Sequence, residues 1–103
     1  MAAYFISFRD TMKDPALYAS YLEKAAPTLA NREARLLVVN GALTPLEGEC
    51  PDGVVILEFP DAQAARDWYD SKEYQAVVGE RLAATQGRAV IVEGPASDLA
   101  PTS

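Results

Sequence analysis

Histidine is missing from this 103-residue sequence, so the commonest general base and the commonest protein metal ligand are both absent. The single cysteine, Cys50, stands in the run Gly-Glu-Cys-Pro-Asp, where Glu49 and Asp52 work against a thiolate nucleophile. One thiol forms no internal disulfide, so nothing here requires an oxidising compartment, and the cytoplasm is the expected location. Ser71 has no base beside it in any motif and reads as a helix cap. No resident metal and no cofactor are expected, and no residue is assigned a catalytic role.

The side chains left for chemistry are those that could hold a ligand. Trp68 and Tyr69 could wall a flat pocket for an aromatic metabolite; as core residues, their spacing from Ala65 is equally ordinary. Tyr74 and Arg81 are seven residues apart and share one helical face. Arg81 could grip a carboxylate with two parallel hydrogen bonds. Alternatively it pairs with Glu58 or another acid and lays its stem over apolar surface. Glu58 is out of pattern, between Ile56 and Pro60: buried, it could serve as a base; at a strand end, it would pair with an arginine. Asn40 offers an amide to a ligand or tolerates an unusual backbone angle before Gly41. Tyr18, with Tyr4 and Tyr21, could supply hydroxyls to a pocket or simply pack. The ligand-binding candidates are therefore Trp68, Tyr69, Tyr74, Arg81, Asn40, Glu58 and Tyr18.

Several elements must position these residues. Ala3 to Arg9 alternates as a strand, with Tyr4, Ile6 and Phe8 on one face and Phe5, Ser7 and Arg9 on the other. Residues 10–13 read as a loop. Asp14-Pro15 starts a helix that runs to about Ala30, with Pro27 kinking it or ending its regular part. Arg35 to Val39 is a second strand, expected to be buried on both faces. The alternation of residues 42–46 extends it through a bend at Asn40-Gly41, with a tight hairpin there as the alternative. After a turn region at 47–53, Val54 to Phe59 is the central strand, with Val55, Leu57 and Phe59 on one side and Val54, Ile56 and Glu58 on the other. Pro60 ends it. Asp61 and Ser71 cap two successive helices, the second ending near Gly87, and Ala89 to Val92 is the last strand. A Pro/Ser-rich stretch from 95 to 103 reads as a flexible tail behind one domain at 1–94.

This order is the split β-α-β pattern of a ferredoxin-like α+β fold, β-α-β-β-α-β with an antiparallel sheet and the second helix broken in two. Helices then cover one face only, while Phe5, Val54, Ile56 and their neighbours make the other face apolar. A monomer would expose more apolar surface than is usually tolerated. A homodimer, pairing two sheets face to face as a dimeric α+β barrel, is expected. Net charge −6 and scattered basic residues argue against nucleic acid, and no long apolar run suggests a membrane span.

The stretch Glu58-Phe59-Pro60 through Ala65, with Trp68-Tyr69, Ser71, Tyr74 and Arg81, resembles the signature of the family known as domain of unknown function thirteen-thirty. Supporting matches are Ala3-Tyr4, Asp14-Pro15 with Tyr18 and Tyr21, Asn40-Gly41, Leu46-Glu47-Gly48 and Val92-Glu93-Gly94, so the resemblance spans roughly residues 2 to 94. It implies the dimeric α+β barrel superfamily, and with it the fold and the dimer, but no established reaction. Relatives in that superfamily include cofactor-independent monooxygenases, isomerases, polyketide cyclases and haem-binding dismutases that share a pocket between sheet and helices; fold alone licenses none of these activities. Two positions depart from the family pattern. Glu33-Ala34 stands where Gly-Gly often precedes the second strand, and Val39 replaces a basic residue that often ends it. The resulting expectation is a protein that binds a small aromatic or carboxylate-bearing metabolite, with an enzyme acting on a small carbonyl compound as the alternative.

Overall fold

The computed structural model describes residues 1–95, so most of the 95–103 segment expected to be flexible lies outside the described residues. Four strands, β1 (Ala3–Met12), β2 (Arg35–Val39), β3 (Gly53–Phe59) and β4 (Thr85–Glu93), form one antiparallel sheet in the order β2-β3-β1-β4. Helix α1 (Pro15–Ala25) joins β1 to β2, and α2 (Ala62–Tyr69) with α3 (Lys72–Ala84) joins β3 to β4. This is the ferredoxin-like α+β arrangement expected from the element order.

Local chemistry explains most boundaries. The Asp14 carboxylate accepts from the Leu17 amide at 3.1 Å, with Pro15 in the first turn where its missing N–H needs no partner. Regular α1 ends at Ala25, and Pro27 lies in the 3-10 turn that follows (Ala26–Leu29), so it ends the helix rather than kinking it. Asp61 accepts from the Ala64 amide at 2.7 Å and Ser71 from the Tyr74 amide at 3.2 Å. Ser71 has extended backbone and breaks the connection into two helices. Because the Asp61 bond is an isolated N-terminal cap, Asp61→Ala should cost about 1 kcal/mol, read as a lower urea midpoint with unchanged slope.

The structure corrects several expectations. Strand β1 continues through residues 10–12, past a bulge between Arg9 and Thr11, because β4 pairs with it as far as Met12. That partner, β4, starts at Thr85, and Gly87 lies inside it rather than at a helix end. A Cβ on Gly87 would collide with the Phe8 carbonyl oxygen, so the close strand approach admits no side chain there. Strand β2 is not buried on both faces. It is the sheet edge, and Leu36 is 60% exposed. The chain bends at Asn40, but the strand does not continue past the bend and no tight hairpin forms at Asn40-Gly41. Asn40 has φ of 54° and ends β2, and residues 41–50 form an exposed excursion without regular structure before β3.

The sheet has two unlike faces. Register places Phe5 opposite Leu57 and Ile91 on the face covered by helices, where Phe5 is buried against Trp68 with ring centroids 5.2 Å apart. Phe5 therefore does not belong to the outer face, contrary to expectation; the strand's alternation had already separated it from Ile6. The outer face is formed instead by Ile6 opposite Ile56 and Val90, Phe8 opposite Val54, and Val38 opposite Ile56. No helix among the described residues covers it.

Candidate functional site

Aromatic side chains build the interior on the covered face. Trp68 is 1% exposed; its ring lies 4.1 Å from that of Tyr74 and 5.6 Å from that of Phe59, measured between centroids. Its indole N–H donates to Thr28 Oγ1 at 2.9 Å, so the burial of Trp68 leaves no polar atom unpaired. The 3-10 turn that Pro27 imposes thereby acquires a tertiary role, because it carries Thr28 to the indole. Lys24 on α1 pairs with Glu80 on α3 at 2.6 Å and ties the two helices together at the surface.

Between this aromatic group, the inner sheet face and α1 lies a cavity of about 100 Å³. Phe5, Val55 and Leu57 form its floor, Leu22 and Ala25 its wall, and Trp68 one end. Leu36 and Val39 on the exposed edge strand mark its open side. Val39, which replaces the basic residue of the resembled pattern, adds apolar surface there.

Arg81 also lines this cavity, and it is the one guanidinium that does so among the described residues. It is 8% exposed, and its Nε is fully buried without a hydrogen-bond acceptor. No carboxylate lies within ion-pair distance of it among the described residues, whereas Arg9, Arg35, Arg66 and Arg88 each have one. Burial works against the Arg81 charge, but the Tyr74 and Tyr21 hydroxyls beside it outweigh that and leave its pKa raised. A guanidinium in any case stays protonated. Tyr21 and Tyr74 hydrogen-bond through their hydroxyls at 2.7 Å. Burial, and then the neighbouring Tyr74, push the Tyr21 hydroxyl far above its ordinary pKa, so it stays protonated and able to donate.

A second polar cluster borders the cavity at Tyr18. Asn40 donates to the Tyr18 hydroxyl at 3.0 Å and accepts from Arg9 Nη1 at 3.1 Å. Arg9 also binds the Asp52 carboxylate at 3.2 Å and the Asp52 carbonyl at 2.9 Å, and its guanidinium lies 4.9 Å from the Tyr18 ring centre. These bonds hold both ends of the 41–52 excursion against α1. Gly53 allows the packing, because a Cβ there would lie 2.5 Å from Arg9 Nη2 and 2.6 Å from Asn40 Oδ1. Arg9 was not among the residues singled out from sequence. The signal was available, since Arg9 is a charge on the same strand face as Phe5 and Ser7.

The candidate residues thus separate into groups. Trp68, Tyr18 and Arg81 line the cavity, with Tyr74 directly behind Arg81 and Tyr21. Asn40 reaches it through Tyr18. Tyr69 is half-buried and faces a different, shallower cleft with Arg66 and Val90. Glu58 lies on the outer face, opposite Tyr4 and Arg35 in register. It pairs with Arg35 at 3.1 Å and accepts from the Tyr4 hydroxyl at 3.3 Å. The sheet separates it from Arg81, so the alternative Glu58–Arg81 ion pair does not form. No group of three or more potential metal-binding side chains occurs among the described residues.

Comparison with known proteins agrees with this architecture. The family described as domain of unknown function (DUF1330) matches residues 2–95. No curated protein matches the chain. Similar solved structures include RPA0582, a protein of unknown function from Rhodopseudomonas palustris, with 18% identity over 92% of this chain and 83% of that one, and a TM-score of 0.65. SnoaB, a cofactor-independent oxygenase from Streptomyces nogalater, has 13% identity over 93% of this chain and 95% of its own, with a TM-score of 0.61. A dimeric protein of unknown function and ferredoxin-like fold from Bacteroides fragilis has 14% identity over 90% of this chain and 95% of its own, with a TM-score of 0.58. At these identities the likeness shows the fold.

Proposed function

This chain belongs to the DUF1330 family, and from that premise we propose that it is a homodimeric binding protein for a small aromatic or carboxylate-bearing metabolite held between sheet and helices. The observation that carries this reading is the cavity of about 100 Å³, apolar along its length and bordered by the buried Arg81, which has no carboxylate partner among the described residues. Sites of this kind combine an apolar lining with a few convergent polar groups. The homodimer is supported by the uncovered apolar outer face and by the dimeric Bacteroides fragilis neighbour. Two such faces packed together would close the sheets into an α+β barrel and leave the cavity on the opposite side of each sheet. A cytoplasmic setting suits the unpaired, exposed Cys50; no helix among the described residues is long and apolar enough to cross a membrane.

The enzymatic alternative, a cofactor-independent monooxygenase, isomerase or cyclase, gains interest from the SnoaB likeness. It ranks second because such chemistry needs a base within reach of the substrate. No carboxylate lines the cavity among the described residues, and Tyr21 is held protonated. Native mass spectrometry of freshly purified protein tests the reading. A dimer that retains a small molecule, released by Leu22→Trp in the cavity wall, is the expected result. A protein that is monomeric at micromolar concentration, with no adduct and no uptake of small aromatic probes, would overturn it.

A further inference from the structure

We infer that the cavity is selective for a small monocarboxylate with an apolar body, its anionic end received jointly by Arg81 and the Tyr21 hydroxyl and its body directed toward the open side at Leu36 and Val39. This rests on the binding reading above and adds the chemical class and orientation of the ligand. The first argument is the cation. A buried guanidinium without a carboxylate partner is costly to a fold, because neutral neighbours only partly replace the water that the charge has lost. Four of the other arginines have carboxylate partners, whereas Arg81 faces an otherwise apolar cavity. A carboxylate entering there supplies the counter-charge that no described side chain provides.

The second argument is the direction of the tyrosine protons. Only one of the two hydroxyls can donate across the 2.7 Å contact, so the pair keeps one free proton. If Tyr74, fully buried beside the Arg81 cation, turns its lone pairs toward that charge, its proton points to Tyr21. Tyr21 then accepts from Tyr74, and its own proton is left for the cavity it lines. Arg81 presents donors only, and Tyr21 adds its free proton. They favour an anion and disfavour an amine, which would bring protons to a site that already has an excess of them.

The third argument is space. An apolar cavity of about 150 Å³ accepts benzene, so one of about 100 Å³ takes a compact body that extends at its open side. Leu36 and Val39, both exposed on the edge strand, form that side. A short dicarboxylate, whose second charge would stop among the apolar side chains before the open side, is disfavoured.

Calorimetric titration of the intact protein with benzoate, benzamide, benzylamine and benzene tests the inference. Benzoate should bind at least about tenfold more tightly than benzamide, because benzoate alone of the two brings a charge opposite to that of Arg81. Benzylamine should not bind. Arg81→Gln should abolish the preference for benzoate. Tyr21→Phe, which keeps the ring and its packing, should weaken benzoate by about tenfold with little change for benzene. Equal binding of benzoate and benzamide, or a Tyr21→Phe variant that retains full preference, overturns the assignment of charge while leaving the binding reading intact. Failure of all four probes, benzene included, overturns both.

Discussion

Trp68→Ala should remove about 3–5 kcal/mol of stability, the range for truncating a large buried aromatic. The expectation rests on three observations. Trp68 is 1% exposed, it packs against Phe5, Phe59 and Tyr74 from two strands and a second helix, and its indole N–H holds Thr28 in the turn after α1. Truncation therefore opens a cavity and leaves the Thr28 hydroxyl without its donor. Small domains have about 5–15 kcal/mol in total, so the variant should be close to unfolding at physiological temperature. A domain of this size loses about 4–8 °C in Tm per kcal/mol, so thermal melting followed by circular dichroism should show a fall of more than about 12 °C. Protomer concentration must be held fixed, because assembly contributes to apparent stability. Trp68→Phe should retain much of the packing and lose mainly the hydrogen bond to Thr28. A Trp68→Ala protein that melts like the wild type would show that this aromatic group is not the core on which sheet and helices depend.

Ile56→Asp should separate the proposed homodimer while leaving each protomer folded. Ile56 lies near the middle of the outer face, opposite Ile6 on β1 and Val38 on β2. It is only half-buried in the single chain, so a carboxylate there remains solvated until a second sheet covers it. In the dimer that charge would be buried without a partner, twice over by symmetry. Leaving one charge buried and unpaired costs about 3–5 kcal/mol, or roughly two to four orders of magnitude in dissociation constant. Sedimentation velocity over a concentration series should show the wild type as a dimer and the variant as a monomer with an unchanged circular dichroism spectrum. A variant that stays dimeric with wild-type affinity would place the interface elsewhere, and the exposed edge strand β2 would be the next surface to test.

The sequence by itself determined the elements and their punctuation. Capping at Asp14, Asp61 and Ser71, the stop at Pro27 and the period-two alternation of β1 and β3 all act between residues a few positions apart, so they are legible without the fold. The same alternation placed Glu58 on the opposite face from Leu57 and Phe59, and its separation from Arg81 follows from that. Tertiary structure decided the rest. The five-residue apolar run of β2 reads as a buried strand, but its place at the sheet edge leaves it exposed, and edge position is a matter of strand order rather than composition. Arg9 meets Asn40 across 31 positions of sequence and Tyr21 meets Tyr74 across 53, so neither pair has a local signature. The solitary state of Arg81 is a tertiary property too. A sequence can show that carboxylates are plentiful, but only the packing of α3 against α1 and the sheet determines that none of the described ones reaches this guanidinium, and a cavity exists only where side chains from several elements fail to meet.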